Sequence, residues 1–182
     1  MRADARRNRE RLLEVAVRSF SLEGPDAPLE AIAKAAGVGI GTLYRHFPTR
    51  EALVEAAYRN ELDRLCASGP DLLAAMPADE ALRAWMDLFV DYMVTKRGMS
   101  DALRTVIASG GDPFNKSRDM LLAAIGRLLE AGVAAGTIRA DVPPEDVLAA
   151  LSGVTSTVGD PLKRDQARRL LALLVDGLRP RT

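Results

Sequence analysis

Residues 37–48 read GVGIGTLYRHFP, set between LEAIAKAA and TREALVEAAYRN. This stretch spells a helix, a glycine-bearing turn, a second helix of about two turns, and a third helix with its own start signal. A helix that short has almost no capacity to stabilise itself and exists only when clamped to its neighbours. The clamp is visible in the spacing. Leu29, Ile32, Ala33 and Ala36 recur at three- and four-residue intervals and form one apolar face. Gly37 stands where a left-handed residue ends a helix most cheaply. Val38 and Ile40 can fold inward over the small Ala33 and Ala36. Leu43 and Phe47 are four apart, which predicts that both point at the core. Thr42, Tyr44, Arg45 and His46 are then left on the outer faces. Pro48 stops the short helix, and Thr49 is a good N-cap for the next, with Glu51 and Glu55 in its early turns where the helix dipole favours acids.

A clamped short helix with polar residues facing outward suits major-groove reading of DNA. The run LEAIAKAAGVGIGTLYRHFPTREALVEA, roughly residues 29–57, closely resembles the DNA-binding segment of the TetR family of bacterial transcriptional regulators. In that family the glycine–threonine–leucine–tyrosine run is the recognition helix. The resemblance implies DNA contacts at Thr42, Tyr44, Arg45 and His46, with Ile40 and Gly41 lying against the groove and Arg50 on a phosphate. One departure stands out. Many family members start the preceding helix with a threonine or serine that touches phosphate. Here Pro28 follows Ala27, and proline suits a first helical turn but cannot donate a hydrogen bond. A dinucleotide-binding reading of Gly37, Gly39 and Gly41 needs a β-strand before the glycines and a longer helix after them, and neither pattern is present.

The rest of the chain agrees with an all-helical fold. Of its 182 residues 48% are hydrophobic but only 4% aromatic, and alanine and leucine dominate over strand-favouring runs. No stretch has the length and apolarity of a transmembrane helix, so no membrane partner is expected. The charged start, MRADARRNRERLLEVA, does not read as a signal peptide. A lone cysteine, Cys66, provides no internal disulfide and fits a reducing cytoplasm; it reads as a small buried residue. Formal net charge is zero, yet the first eleven residues hold five arginines against Asp4 and Glu10. That arm, with Arg6 and Arg7, is expected to meet phosphate or the minor groove. A solvated, frayed terminus is the plainer alternative.

Along the chain, the first helix is predicted from about Arg7 to Leu22 and the fourth from Thr49 to about Cys66, where SGP interrupts. Glu80 to Lys96, a shorter helix capped by Ser100, Asn115 to Ala135, Glu145 to Val158 and Gln166 to Leu178 complete a set of about nine helices. The expected division is a helix-turn-helix DNA-binding domain over residues 1–66, and a helical ligand-binding and dimerisation domain over residues 67–182.

In the second part, Trp85, Phe89 and Met93 form an apolar stripe around which Met99, Leu103, Ile107, Phe114, Met120 and Leu121 could close. An ordinary core explains any one of these residues. A ligand cavity is the functional alternative, since methionine and aromatic side chains line adaptable apolar sites. The family resemblance implies an inducer pocket in these helices, and the apolar lining suggests an uncharged ligand. The last helix has a wider apolar arc than one core-facing side needs. Leu170, Leu171, Leu174 and Leu178 there, with Ala150, Gly153 and Val154 on the helix before, suit a twofold homodimer better than a helix buried within a monomer.

No catalytic constellation emerges. The only histidine, His46, lies on the expected DNA face, Ser109 lacks the glycine pattern of a nucleophile elbow, and no cluster has metal-ligand spacing. No metal or cofactor is expected. The sequence therefore points to a cytoplasmic, non-enzymatic, homodimeric transcription regulator, a repressor released from a palindromic operator by a small apolar ligand. A ligand-independent repressor or architectural protein is the competing reading.

Overall fold

The structure, a computed structural model, describes residues 2–157 and 164–180, and these form nine helices and no strand. They are α1 (Arg2–Glu23), α2 (Leu29–Ala35), α3 (Ile40–His46), α4 (Arg50–Ala75), α5 (Ala78–Gly98), α6 (Ser100–Ala108), α7 (Ser117–Ala134), α8 (Pro144–Thr157) and α9 (Arg164–Leu178). Val158, where the eighth helix was expected to end, lies outside the described residues. The packing separates into two units. Met1–Glu61 and Thr95–Asn115 make the first, and Leu62–Val94 and Lys116–Thr182 the second.

In the first unit α1 packs on α2, and α2 on α3. Leu12, Leu13, Ala16 and Phe20 of α1 are wholly buried, as are Ile32 of α2 and Leu43 of α3. The end of α2 follows from Gly37, whose φ of +72° is a backbone shape that glycine adopts without cost. Its N–H reaches the Lys34 carbonyl at 3.0 Å, and the next N–H, of Val38, reaches Ala33 at 3.0 Å. That paired arrangement satisfies the last carbonyls of the helix and aims the chain into α3. Thr49 caps α4 as expected, its hydroxyl accepting the Ala52 N–H at 3.1 Å. Pro28 precedes α2 with no side-chain cap.

The same unit includes the end of α5, α6 and the loop beyond. The Tyr58 and Phe114 rings meet edge to face with centroids 5.4 Å apart, and the Lys96 ammonium lies 4.4 Å from the Phe114 centroid. Arg59 donates to the Asp112 carbonyl at 3.1 Å. In the second unit the Trp85 and Phe89 rings stack with centroids 5.9 Å apart, and the indole N–H of Trp85 donates to the Leu65 carbonyl at 2.9 Å. α8 packs against both α7 and α9.

Several boundaries differ from those read in the sequence. α1 begins at Arg2 instead of Arg7, so the basic arm is helical; Arg7–Asp4 and Arg6–Glu10 pairs at helical spacing support the extra turns. α4 does not stop near Cys66 but runs through Pro70 to Ala75. A proline inside a helix removes a hydrogen bond and costs about 3 kcal/mol in isolation. Here Leu62, Leu65, Cys66 and Gly69 are buried on the turns before it, and the Leu65 carbonyl is held by both Trp85 Nε1 and Ser68 Oγ. Tertiary burial overrides the local break signal. Ser100 is the first residue of α6, not its cap, which is Met99. α7 starts at Ser117, because Asp112 holds the N–H groups of Phe114 and Asn115 in a preceding turn.

Gly37→Ala tests the turn. A Cβ there would meet only the tip of Arg11, at 4.0 Å, so the expected loss of about 1 kcal/mol comes from backbone strain. Gly41→Ala, with open space around the new methyl and a better helix former in place, should leave stability unchanged or slightly raised. Chemical denaturation midpoints of the two variants read the contrast directly.

Candidate nucleic-acid interface

Every feature of α3 follows from its two inward anchors. Leu43 is fully buried, and Phe47, the C-cap residue, is 3% exposed with its N–H on the Leu43 carbonyl at 2.8 Å. With those two fixed, Tyr44 turns outward and is 46% exposed. Arg45 is exposed beside it, its guanidinium donating to the Thr42 hydroxyl at 2.9 Å. This bond holds the arginine along the outer face of the helix, with four of its five donors left for another acceptor. His46 is half-buried, its ring tilted against Phe47 at a centroid distance of 6.1 Å. Ile40 is half-buried, and Gly41 is exposed with nothing within 4 Å of where a Cβ would stand. A flat glycine next to an exposed Tyr–Arg pair gives close approach to a surface and two side chains able to read its edges.

The basic residues around α3 have less uniform settings. Arg50, expected on a phosphate, sends Nη1 to the carbonyls of Pro25 at 2.9 Å and Ala27 at 2.6 Å. It staples the α1–α2 loop to the first turn of α4, a role not read from the sequence. Arg6 and Arg7 are exposed and paired with Glu10 and Asp4 of their own helix. Two other arginines of α1 lean on the helix-turn-helix instead. The Arg9 guanidinium lies 5.5 Å from the centroid of the Phe47 ring. Arg11 Nη1 stands 4.0 Å from the Cβ position of Gly37, while Nη2 bonds Asn8 Oδ1 at 2.7 Å. Helical spacing contained the first of these: Arg9 is four residues before the buried Leu13 and so on the same face.

Comparison with known proteins agrees with this geometry. Residues 12–57 match the bacterial regulatory proteins of the tetR family, and residues 77–180 match the C-terminal domain of SbtR-like transcriptional regulators. A crystal structure of a TetR transcriptional regulator from Streptomyces coelicolor is 57% identical, over 96% of this chain and 99% of that one, with a TM-score of 0.91. The chain belongs to the TetR family. It is a DNA-binding helix-turn-helix transcriptional regulator. A TetR transcription regulatory protein from Mycobacterium vanbaalenii is 38% identical over 98% of this chain and 99% of that one, with a TM-score of 0.81. An HTH-type transcriptional regulator of Staphylococcus aureus (strain USA300) is 42% identical over 64 residues, a match spanning 35% of each protein.

The residues read as the pocket of this TetR protein fall in both units. Trp85 and Phe89 are packed together in the second, where Leu121 is also buried and Met93 and Met120 are half-buried. Met99 and Leu103 are buried in the first, whereas Ile107 and Phe114 there are 48% and 36% exposed. Two cavities in the second unit have other linings. One, of about 240 Å³, lies among Val142, Val147, Leu173, Leu174 and Leu178; the other, of about 450 Å³, is a charged groove that includes Arg83, Asp87, Asp176 and Arg179.

α9 is apolar on two sides. Leu171 and Leu178 are buried within the chain, while Leu170 and Leu174 are half-buried and Leu173 is 68% exposed. On α8, Ala150 and Val154 are half-buried and Gly153 is exposed. The Cys66 thiol is buried, and desolvation, reinforced by Asp63 and opposed by Arg127, pushes its pKa up to about 11. It is a neutral thiol at physiological pH and a poor nucleophile. Among the described residues no helix is long and apolar enough to cross a membrane, and no cluster of three or more potential metal ligands occurs.

The roles of the two arginines near α3 are separable. Arg45→Ala should leave the melting temperature unchanged and weaken sequence-selective DNA binding by about 1–3 kcal/mol. Arg50→Gln should lower folding stability by about 2 kcal/mol, because two carbonyls lose a charged donor. Thermal denaturation and a duplex titration on the same samples check both.

Proposed function

We propose that this TetR protein is a homodimeric repressor that occupies a palindromic operator and is released by a small, largely apolar ligand. The observation that carries the reading is the polarity of α3, with Leu43 and Phe47 held inward while Tyr44 and Arg45 face out. Ile40, Gly41, Thr42 and His46 complete the reading surface. Residues 1–66 act as the DNA-binding domain and residues 67–182 as the ligand-binding and dimerisation domain. The protein works in the cytoplasm, where the DNA is, and no catalytic step belongs to it.

One seven-residue reading helix makes few base contacts. Two such helices, related by a dimer axis and about 34–36 Å apart, read successive major grooves of a palindrome. The second apolar side of α9 supplies the dimer interface. Leu170, Leu173, Leu174 and Gly177 follow three- and four-residue spacing along it, with Ala150, Gly153 and Val154 of α8 as the small-residue counterpart. An exposed apolar stripe of that kind is self-complementary across a twofold axis. The inducer enters among Trp85, Phe89, Met93 and their neighbours. It lowers DNA affinity by favouring a shape with a different spacing of reading helices, since two ligands that prefer different states oppose each other. α4, which runs from the reading end into the second unit, transmits the change.

Selection of duplexes from a random library should enrich a palindrome with half-sites about one helical turn apart; enrichment of no sequence would sink the reading. Leu173→Glu should convert a dimer to a monomer in sedimentation equilibrium and abolish tight palindrome binding, while a dimer that persists removes α9 as the interface. A panel of apolar compounds should contain one that both raises the melting temperature and releases the selected duplex. If none does both, the ligand-independent repressor or architectural reading replaces the ligand-gated one.

A further inference from the structure

We infer that Arg9 and Arg11, not Arg6 and Arg7, are the DNA-phosphate ligands of α1, held in place at the two ends of the reading helix. The inference rests on α3 being the helix that enters the major groove. Arg9 stands over the ring of Phe47, the residue that ends α3. Arg11 stands beside Gly37, the residue that opens the turn into α3. Arg9 thus brings a cation to the exit of α3, and Arg11, which leaves α1 from nearly the opposite side two residues on, brings a second to its entrance.

The spacing suits a duplex. A helix of seven residues spans roughly 10 Å, and the major groove is roughly 12 Å wide between its phosphate walls. Cations placed at both ends of such a helix stand where the phosphates bordering the groove run. Both arginines are exposed residues, so little burial has to be undone for a phosphate to reach them.

Arg6 and Arg7 are worse placed on two physical grounds. Their side chains are 80% and 66% exposed and, among the described residues, pair within their own helix, so each has to be ordered when DNA arrives. Each also brings an acid with it. Glu10 lies 3.5 Å from Arg6, and Asp4 is bonded to Arg7, so a phosphate approaching either arginine meets a carboxylate too. Arg9 and Arg11 have no ion pair of this kind among the described residues. Arg9 is parked on an aromatic ring and Arg11 on an uncharged amide oxygen. A guanidinium already oriented, with its fork of donors uncompensated, is the better phosphate ligand.

The salt dependence of binding to the selected duplex tests this, because removing one arginine–phosphate pair flattens the plot of log affinity against log salt by about one. Arg9→Gln and Arg11→Gln should each flatten the slope by that amount. They should weaken binding to the selected and a scrambled duplex by the same factor, leaving sequence preference intact. Arg6→Gln and Arg7→Gln should keep the wild-type slope. Slopes unchanged in Arg9→Gln and Arg11→Gln, or flattened as much in Arg6→Gln and Arg7→Gln, would overturn the assignment. Should Arg9→Gln lower the melting temperature by uncovering Phe47, Arg9→Met keeps an apolar cover there and its slope decides instead. Failure of the major-groove reading has a different signature, a wild-type protein with no preference between selected and scrambled duplexes.

Discussion

Leu43 and Phe47 hold the structure's functional surface in place. α3 is seven residues long, and neither its N-cap, Gly39, nor the helix before it, entered through Pro28, has a side-chain cap. Isolated helices of that length are not populated in water. The helix therefore exists because two side chains one turn apart are removed from solvent, each worth roughly 1.5–3 kcal/mol of transfer free energy. The same fact fixes its orientation. With anchors at one face, the outward direction of Tyr44 and Arg45 is a geometric consequence and needs no bond of its own. The Thr42–Arg45 hydrogen bond then refines what burial has already decided.

Such an anchor works only if its surroundings are stiff, and the first unit supplies stiffness from several directions. The turn at Gly37 satisfies the end of α2, Thr49 caps α4, and Arg50 joins the start of α4 to the α1–α2 loop. Two turns further along α4, Tyr58 and Arg59 engage Phe114 and Asp112 beyond α6, with Lys96 over both aromatic rings. The support of α3 thus includes residues more than fifty positions away in sequence. A perturbation at α6 or its following loop acts on the same packed unit as one at α4, because cores transmit displacement instead of absorbing it.

What the sequence revealed and what it hid divide along one physical line. The Leu43–Phe47 spacing, the left-handed Gly37, the cap at Thr49 and the outward face of α3 all depend on residues within a turn or two of each other. They were legible for that reason. The passage of α4 through Pro70 was not, since what holds the helix there is tertiary: Leu62, Leu65 and Cys66 are buried, and the distant Trp85 bonds the Leu65 carbonyl. The tie that Arg50 makes to the α1–α2 loop was hidden for a related reason. Its carbonyl partners lie 25 and 23 residues earlier, and a basic residue at a helix start looks the same whether it faces a phosphate or a loop. The helical start at Arg2 was signalled by charges at helical spacing, but five arginines in eleven residues read more strongly as an arm. The pocket residues carry the weakest signal of all: an apolar side chain has the same spacing in a packed core and in a cavity wall, and only the space left between side chains tells them apart.

The same ambiguity resolves differently on α9, because there the two apolar faces can be compared on one helix. Leu171 and Leu178 are used up inside the chain, and they alone would have made α9 an ordinary amphipathic helix. Leu173 is not part of that face, and at 68% exposed it is little buried within the single chain. Isolated exposed leucines are common on protein surfaces. A stripe is different, because Leu170 and Leu174 flank it half-buried and Gly177 follows at the next turn, so the open surface is continuous along the helix and low enough for a second helix to approach. The inward face accounts for the fold, and the outward one is the surface on which the proposed homodimer rests. A reading helix too short to specify a site alone is what makes that partner, on the proposed reading, a second copy of the chain.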